Sequence, residues 1–205
     1  MFVTLLLVSC GTDPVPKPKG HIRIDLPEKT YHLAETDCPF QFEIPDYAVF
    51  QLRPQHENKC WFNLHFPQNR AKIHFTYKEV DGNLRQLLEE SHRLSYEHHV
   101  KAHDIISQKV ERDSACVYGL VYHLKGGVAS PLQFYLTDST RHFLRGSLYF
   151  DVTVNSDSLQ PVVDFIARDV DHLIKTMRWP SSACDALGSD IGNSEPKPQE
   201  EVKLN

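Results

Sequence analysis

Long apolar runs and clustered positive charge are both missing from this chain of 205 residues. No stretch reaches the about 18 consecutive apolar residues that a membrane-spanning helix needs, so any link to a membrane must come through the N-terminus. The formal net charge is −5, and no stripe of Lys and Arg appears along the chain. This pattern argues against a nucleic-acid-binding protein.

Signature motifs of common enzyme and cofactor sites are missing as well. The five cysteines, at positions 10, 38, 60, 116 and 184, include no Cys-x-x-Cys pair, which argues against a zinc knuckle or a thioredoxin-type site. The nine glycines are scattered and form no P-loop, no dinucleotide-binding fingerprint and no Gly-x-Ser-x-Gly elbow. We therefore expect no enzymatic activity, no cofactor and no metal.

The twelve histidines do not change this expectation. His65 and His74 occupy matching places on neighbouring strand-like runs, but two ligands do not complete a zinc site. Glu89 and His92 form a single Glu-x-x-His, whereas a di-iron bundle needs that motif on two helices.

The sequence evidence for catalytic side chains is also weak. Asp138, Ser139 and His142 are the residue types of a nucleophilic triad, but they fall within one predicted turn. A glycan or peptidoglycan hydrolase needs paired carboxylates in a cleft, and we interpret the pair Asp169 and Asp171 as a solvated helix face instead.

The N-terminus carries the clearest signal in the chain. Residues 1–9 are apolar or small and lead to Cys10 in the pattern Leu-Val-Ser-Cys, which is typical of a bacterial lipobox. No Lys or Arg precedes the run, which predicts that the positively charged start of the signal lies upstream of Met1. Residues 10–20 alternate prolines in "PVPKPKG", which predicts an extended tether and argues against the alternative of a buried strand. We expect Cys10 to be lipidated.

Residues 21–180 are predicted to form one domain with two kinds of periodicity. The segment 21–33 reads as an extended piece that packs along the domain, and residues 181–205 read as a disordered acidic tail. Four runs, at 40–45, 48–53, 60–67 and 71–78, alternate with period two, as strands do, and four further strand candidates lie at 104–111, 115–125, 131–138 and 142–152. Two runs have helical spacing: one starts at an Asn83 and Gln86 capping box and ends near Lys101, and the other has Pro161 in its first turn.

The order of four strands, helix, four strands and helix predicts an α+β fold. Short connections favour antiparallel neighbours, so we expect an antiparallel sheet sandwiched with two amphipathic helices. By analogy of fold alone, this order is similar to the PsbP/Mog1-like sandwich.

Four cysteines other than Cys10 permit three full pairings in an exported protein. We favour a disulfide between Cys38 and Cys60, because each borders a strand-like run and we expect those two runs to lie side by side; the alternative is two free buried thiols. Cys116 reads as a thiol on a core strand, and Cys184 lies in the tail.

Several motifs in order resemble the gliding motility lipoprotein GldD family of the Bacteroidetes. They span about Cys10 to Pro180 and comprise "PKPKGHIRIDLPEKTY", "CPFQFEIPDYA", "CWFNLHFP", "AKIHFTYK", "QFYLTDSTRHFLRGSLYF" and the final "TMRW". The resemblance implies a non-enzymatic lipoprotein of the cell envelope that is required for gliding and is associated with type IX secretion. The partners it implies are other envelope proteins of that machinery, together with the membrane that receives the anchor.

As the docking surface we expect the turn at 137–146, whose residues combine aromatic and cationic character. The candidate partner-binding residues are Asp138, Arg141, His142, Phe143 and Arg145. No acidic run follows Cys10, so we expect the domain to face the periplasm. The alternative function is a periplasmic lipoprotein that binds a lipid or small molecule in an apolar pocket between sheet and helix.

Overall fold

The computed structural model describes residues 26–53, 60–97, 102–151 and 156–180. This part of the chain forms nine strands and two helices. The strands are β1 (Tyr31–Leu33), β2 (Glu43–Pro45), β3 (Val49–Leu52), β4 (Phe62–Phe66), β5 (Ala71–Glu79), β6 (Ala102–Arg112), β7 (Val117–Gly126), β8 (Leu132–Thr137) and β9 (His142–Phe150). The helices are α1 (Leu84–Tyr96) and α2 (Ser156–Thr176).

Seven strands form one antiparallel sheet in the order β3-β4-β5-β9-β8-β7-β6. The two halves of the chain meet near the middle of this sheet, because β5 of the first half pairs with β9 of the second half over nine residues. Strands β1 and β2 form a separate antiparallel pair. The segment before β2 also meets the chain beyond α2 through a bridge between Gln41 and Arg178.

One face of the large sheet carries the main core. The alternating residues of β5 that point to this face are fully buried, as are their neighbours on β4, β8 and β9. Helix α2 covers this face with Val162, Phe165, Ile166, Val170 and Leu173, all of which belong to the same cluster. Helix α2 therefore buries its apolar stripe, which repeats every 3.6 residues, against the sheet.

Helix α1 covers the opposite face. The side chains of β5 and β9 that point to this opposite face, such as Thr76 and Phe143, lie against Leu87 and Leu94 of α1. A smaller apolar cluster around Tyr122 and Leu124 of β7 continues this layer. The molecule is thus a helix, sheet and helix sandwich, and the predicted α+β class with an antiparallel sheet and two amphipathic helices is confirmed.

The first predicted strand run differs from the structure. The run at 40–45 yields only the short strand β2, which pairs with β1 outside the large sheet. Phe40 and Phe42 lie across the sheet face, with ring centroids 5.8 and 6.0 Å from that of Phe62 on β4. Alternate residues of this segment are buried, as the sequence predicts. They are buried because the segment packs against the face of the large sheet, and not because it is a strand of that sheet.

The predicted disulfide is present, although for a different geometric reason. Cys38 and Cys60 are bonded, with their Cα atoms 5.6 Å apart. The segments that follow them do not pair side by side as expected; they cross in adjacent layers, and the disulfide joins the layers at the start of both. Cys116 is disulfide-bonded as well, and is therefore not the thiol that the sequence predicts.

The N-terminal part of each helix differs from expectation. Helix α1 starts at Leu84, but Asn83 makes no side-chain cap; its Oδ1 accepts the Asp81 N–H at 3.0 Å, so the predicted capping box is wrong. Helix α2 begins at Ser156, so Pro161 lies inside it rather than in its first turn.

None of the helices in the described ranges is long and apolar enough to cross a membrane. The predicted signal, the lipidation site Cys10, the tether and the acidic tail at 181–205 lie outside the described residues.

Candidate functional site

The turn between β8 and β9 is built around the carboxylate of Asp138. Its Oδ1 accepts the N–H groups of Thr140, Arg141 and His142 at 3.0, 2.8 and 2.8 Å, and its Oδ2 accepts the Thr140 hydroxyl at 2.9 Å. Ser139 adopts a left-handed conformation, with φ of 68°. Burial raises the pKa of Asp138, but the N–H donors outweigh burial and leave the pKa below its usual value. Asp138 is therefore an ionised structural acceptor.

His142 lies in the core beneath this turn. Its ring stacks on Trp179 with centroids 5.2 Å apart, and its Nδ1 is 2.7 Å from the Tyr77 hydroxyl. Burial lowers the pKa of His142, so the ring is neutral near pH 7. Burial, together with the Glu79 and Asp138 carboxylates, raises the pKa of Tyr77 to about 12, which keeps that phenol protonated.

The five residues predicted to dock a partner do not form one exposed surface. Asp138, His142 and Phe143 are buried, and the Arg145 side chain points under α1. Arg141 alone among the five is exposed. The tight turn folds the side chains of Asp138, His142, Phe143 and Arg145 into the two layers beside the sheet, and of the five only Arg141 extends from the turn into solvent.

The structure also shows where the residues of the candidate triad and of the candidate metal site lie. Asp138 contacts the main chain of His142 rather than its ring, and the Ser139 N–H donates to Thr137 Oγ1 at 3.0 Å, so these residues are not arranged as a triad. His74 lies opposite Asn63 in the register, with Nδ1 2.6 Å from Asn63 Oδ1, and does not oppose His65. In the described ranges, no three His, Cys, Asp or Glu side chains are grouped as metal ligands.

A buried charge cluster, which the sequence did not reveal, joins the N-terminal segment to α2. The Asp169 carboxylate is 2% exposed and forms an ion pair with the Lys29 ammonium. Its Oδ1 also accepts the Tyr31 hydroxyl at 2.9 Å, and its Oδ2 accepts the Tyr47 hydroxyl at 2.6 Å. We name Lys29, Tyr31, Tyr47 and Asp169 the anchor clasp, because the predicted tether ends at Gly20, nine residues before Lys29.

The ammonium of Lys29 is held on several sides. It donates to the Tyr47 hydroxyl and to the Phe165 carbonyl, both at 3.1 Å, and lies 3.7 Å from the centre of the Phe165 ring. Burial lowers the pKa of Lys29, while Asp169 acts in the opposite direction. Burial also raises the pKa values of Tyr31 and Tyr47, so both phenols donate to the carboxylate. The clasp therefore satisfies a buried charge with a counter-ion and two neutral donors.

A second contact reinforces the clasp from the same helix. Tyr31 stacks on His172 with ring centroids 3.7 Å apart, and His172 Nε2 is 2.6 Å from Glu43 Oε2. Strands β1 and β2 are thus both fastened to α2 by side chains.

Asp169 was expected on a solvated helix face, and this prediction is wrong. The signal for its burial was present, because Asp169 falls three residues after Ile166 and four before Leu173, both on the apolar stripe of α2. A carboxylate in the register of a buried stripe needs a partner, and no pattern in the sequence points to Lys29, which is 140 residues away.

A cavity of about 190 Å³ lies between α1 and the sheet. Leu87 and Leu94 of α1 line one side, and Phe143 and Arg145 of β9 line the other; Trp61 also contributes to the lining. A Lys78 and Glu90 ion pair of 3.0 Å connects sheet and helix beside the cavity. Apolar side chains provide most of the lining surface, and Arg145, which is half-buried, is a cation of the lining outside the Lys78 and Glu90 pair.

The comparisons with known proteins complete these observations. The family described as gliding motility lipoprotein GldD matches residues 11–179. A comparison with curated proteins gives no match. Among solved structures, the chain is similar to the solution structure of cyanobacterial PsbP (CyanoP) from Synechocystis, with 12% identity, a TM-score of 0.46, and coverage of 81% of this chain and 96% of that chain. At that score the likeness carries no argument about function.

The family match spans the whole described domain, including the anchor clasp and both helices. The motifs that suggested the family occupy β2, β4, β5, β8 and β9, together with the segment that enters the clasp. The chain therefore belongs to the gliding motility lipoprotein GldD family and is a membrane-anchored envelope lipoprotein associated with gliding motility.

Proposed function

We propose that this protein is a non-enzymatic docking or assembly module, lipid-anchored at Cys10 and facing the periplasm, that serves the type IX secretion and gliding machinery. The observation that carries the proposal is the anchor clasp. Close to the N-terminal end of the described residues, at Lys29, a buried ion pair and two phenol hydrogen bonds fasten the N-terminal segment to α2.

The clasp suits a domain that is held by its N-terminus. A force on the tether meets the Lys29 and Asp169 pair and the β1-β2 contacts with α2 before it reaches the large sheet. Ten extended residues between Cys10 and His21 span about 30 Å, which separates the domain from the bilayer. A mature bacterial lipoprotein carries more than one acyl chain, which is enough for stable anchoring.

The outer edge of β6 is the surface we favour for docking. In the described residues β6 pairs only with β7, so its other edge presents free backbone groups along 11 residues. Charged residues and a register shift protect its ends, but the central "IISQ" at 105–108 carries no charge, and Ile106 is 45% exposed. An extended segment of another envelope protein can add to such an edge as a further strand.

Crosslinking in the native envelope, followed by mass spectrometry, tests the function. The wild-type chain should remain in the membrane fraction and crosslink to other gliding or type IX secretion proteins. A Cys10→Ser chain should fold but leave the membrane fraction, lose those crosslinks and fail to support gliding. Gliding supported by a soluble, unacylated Cys10→Ser chain would contradict the proposal.

The docking edge is tested by two matched variants in the same experiment. Ile106→Lys places a charge on β6, and Leu52→Lys places the same charge on β3, the opposite edge strand, where Leu52 is 57% exposed. Both variants should unfold at the wild-type temperature. We expect Ile106→Lys to lose the partner crosslinks and Leu52→Lys to keep them; the reverse result would assign docking to the β3 edge.

A further inference from the structure

We propose that the cavity between α1 and the sheet binds a small organic monocarboxylate with an aromatic or compact apolar group, and that Arg145 receives the carboxylate. This site goes beyond the docking function and does not depend on it.

The charge of Arg145 is the first argument. Its side chain lines the cavity, and one of its five N–H groups donates to Gln133 Oε1 at 2.6 Å. No carboxylate in the described part of the chain forms an ion pair with it. Burial lowers the pKa of Arg145, although Tyr149, Glu90 and Tyr122 act in the opposite direction. Among the described residues, the only hydrogen-bond partner of this half-buried guanidinium is a neutral amide. Its remaining N–H groups can therefore bind an anion in a bidentate manner.

Buried polar atoms beside Arg145 supply the second argument. Gln133 and Ser147 lie directly opposite each other on β8 and β9 and are 1% and 2% exposed. Gln133 Nε2 and Ser147 Oγ have no hydrogen-bond partner among the described residues. Folded proteins rarely leave such atoms unpaired; Gln133 and Ser147 do not line the cavity themselves, and they add unused hydrogen-bonding capacity behind the cation that does.

The remaining lining selects the ligand. Leu87, Leu94, Phe143 and Trp61 offer apolar contacts to a ring or a compact alkyl group. The 190 Å³ cavity corresponds to about six waters at the volume of the liquid, which is too small for a fatty-acid chain. Lys78 and Glu90 also line the cavity and neutralise each other, so Arg145 alone supplies a net positive charge, which suits a singly charged carboxylate better than a doubly charged phosphate.

Fluorine NMR of 4-fluorophenylacetate with the full chain in detergent tests the site, with the neutral analogue 2-(4-fluorophenyl)ethanol and detergent alone as blanks. We expect saturable binding of the carboxylate, and binding of the alcohol that is at least about tenfold weaker, because a charge-assisted bidentate contact is lost. Arg145→Gln should abolish binding, and Arg141→Gln, an exposed arginine of the same hairpin, should leave it unchanged.

A second variant covers the case in which Arg145→Gln fails to fold. Leu94→Trp keeps the arginine and fills the cavity from α1, so it should block binding while the chain stays folded by circular dichroism. The proposal is overturned if the wild-type chain shows no saturable binding, if the alcohol binds as well as the carboxylate, or if Arg141→Gln loses binding as Arg145→Gln does. Unchanged binding by folded Leu94→Trp would also overturn it.

Discussion

At the scale of single residues, the molecule satisfies its buried carboxylates in two different ways. Asp138 accepts backbone N–H groups from its own turn, which are fixed by local sequence. Asp169 depends on Lys29, Tyr31 and Tyr47, which come from the far end of the chain. The first arrangement forms as soon as the turn forms, whereas the second exists only when α2 and the N-terminal segment are packed together.

Replacing Asp169 with Asn should therefore destabilise the domain strongly. The variant leaves the Lys29 ammonium, 24% exposed, without a counter-ion, and we expect a loss of about 3 kcal/mol in the free energy of unfolding. Urea unfolding followed by circular dichroism measures this loss. Asp164→Asn, on the exposed side of the same helix, is the control and should change stability by less than about 0.5 kcal/mol. Equal effects of the two variants would contradict the clasp.

The buried ring of His142 makes stability depend on pH. Burial lowers its pKa below the ordinary value of 6.5, so the unfolded chain takes up a proton near pH 6 that the folded chain does not. Stability is therefore greatest above pH 6.5 and falls as the pH drops below that value, by up to about 1.4 kcal/mol per pH unit for this group.

Unfolding measured between pH 7.5 and pH 5.5 checks this dependence. His142→Gln should show a smaller loss of stability over that range than the wild type. Some loss should remain, because burial also lowers the pKa values of His74 and His123. An identical slope in wild type and variant would show that His142 does not contribute.

At the scale of elements, the central strands pack closely because one residue of β9 lacks a side chain. Gly146 lies opposite Phe134 of β8, and a Cβ built on Gly146 would be 2.3 Å from the end of the Phe134 ring. Phe134 is 2% exposed and packs against Phe75 of β5, with ring centroids 5.7 Å apart, so it has little room to move. Gly146 thus leaves room for the Phe134 ring to lie directly against the backbone of β9.

Gly146→Ala should lower the free energy of unfolding by about 2 kcal/mol, since the added methyl overpacks this contact. Thermal unfolding of the variant measures the change. Gly127→Ala is the matched control, because nothing lies within 4 Å of a Cβ at that position. Wild-type stability of Gly146→Ala would mean that Phe134 shifts without cost.

At the scale of the whole molecule, the disulfides determine which cysteine is available for the anchor. Cys38 and Cys60 are bonded to each other, and Cys116 is disulfide-bonded as well. The two other cysteines, Cys10 and Cys184, lie outside the described residues. If Cys10 carries the lipid, its sulfur is not free to form a disulfide.

The proposed anchor therefore predicts a disulfide between Cys116 and Cys184. Peptide mapping of the membrane-extracted chain under non-reducing conditions should recover that pair, together with an acylated peptide that begins at Cys10. Recovery of a Cys10 and Cys116 pair instead would exclude lipidation at Cys10 in that molecule.

Local patterns were enough to identify most of the elements. Strands β4 and β5 follow period-two spacing and both helices follow period-3.6 spacing, and these spacings can be read from neighbouring residues alone. The same patterns did not distinguish a strand that pairs within the sheet from the Phe40 and Phe42 segment that lies across it, because both bury alternate residues. They also did not show that the side chains of Asp138, His142, Phe143 and Arg145 point inward.

The sequence by itself therefore determined the class of fold, the family and the predicted site of the anchor, since these depend on spacing and on motifs that are contiguous in the chain. Only the tertiary structure decided which charged residues are buried together. Lys29 and Asp169 meet across 140 residues, and Arg145 faces a cavity that α1 completes from another layer. Such sites depend on how layers pack, and the energy of a buried charge depends on partners that come from distant parts of the chain.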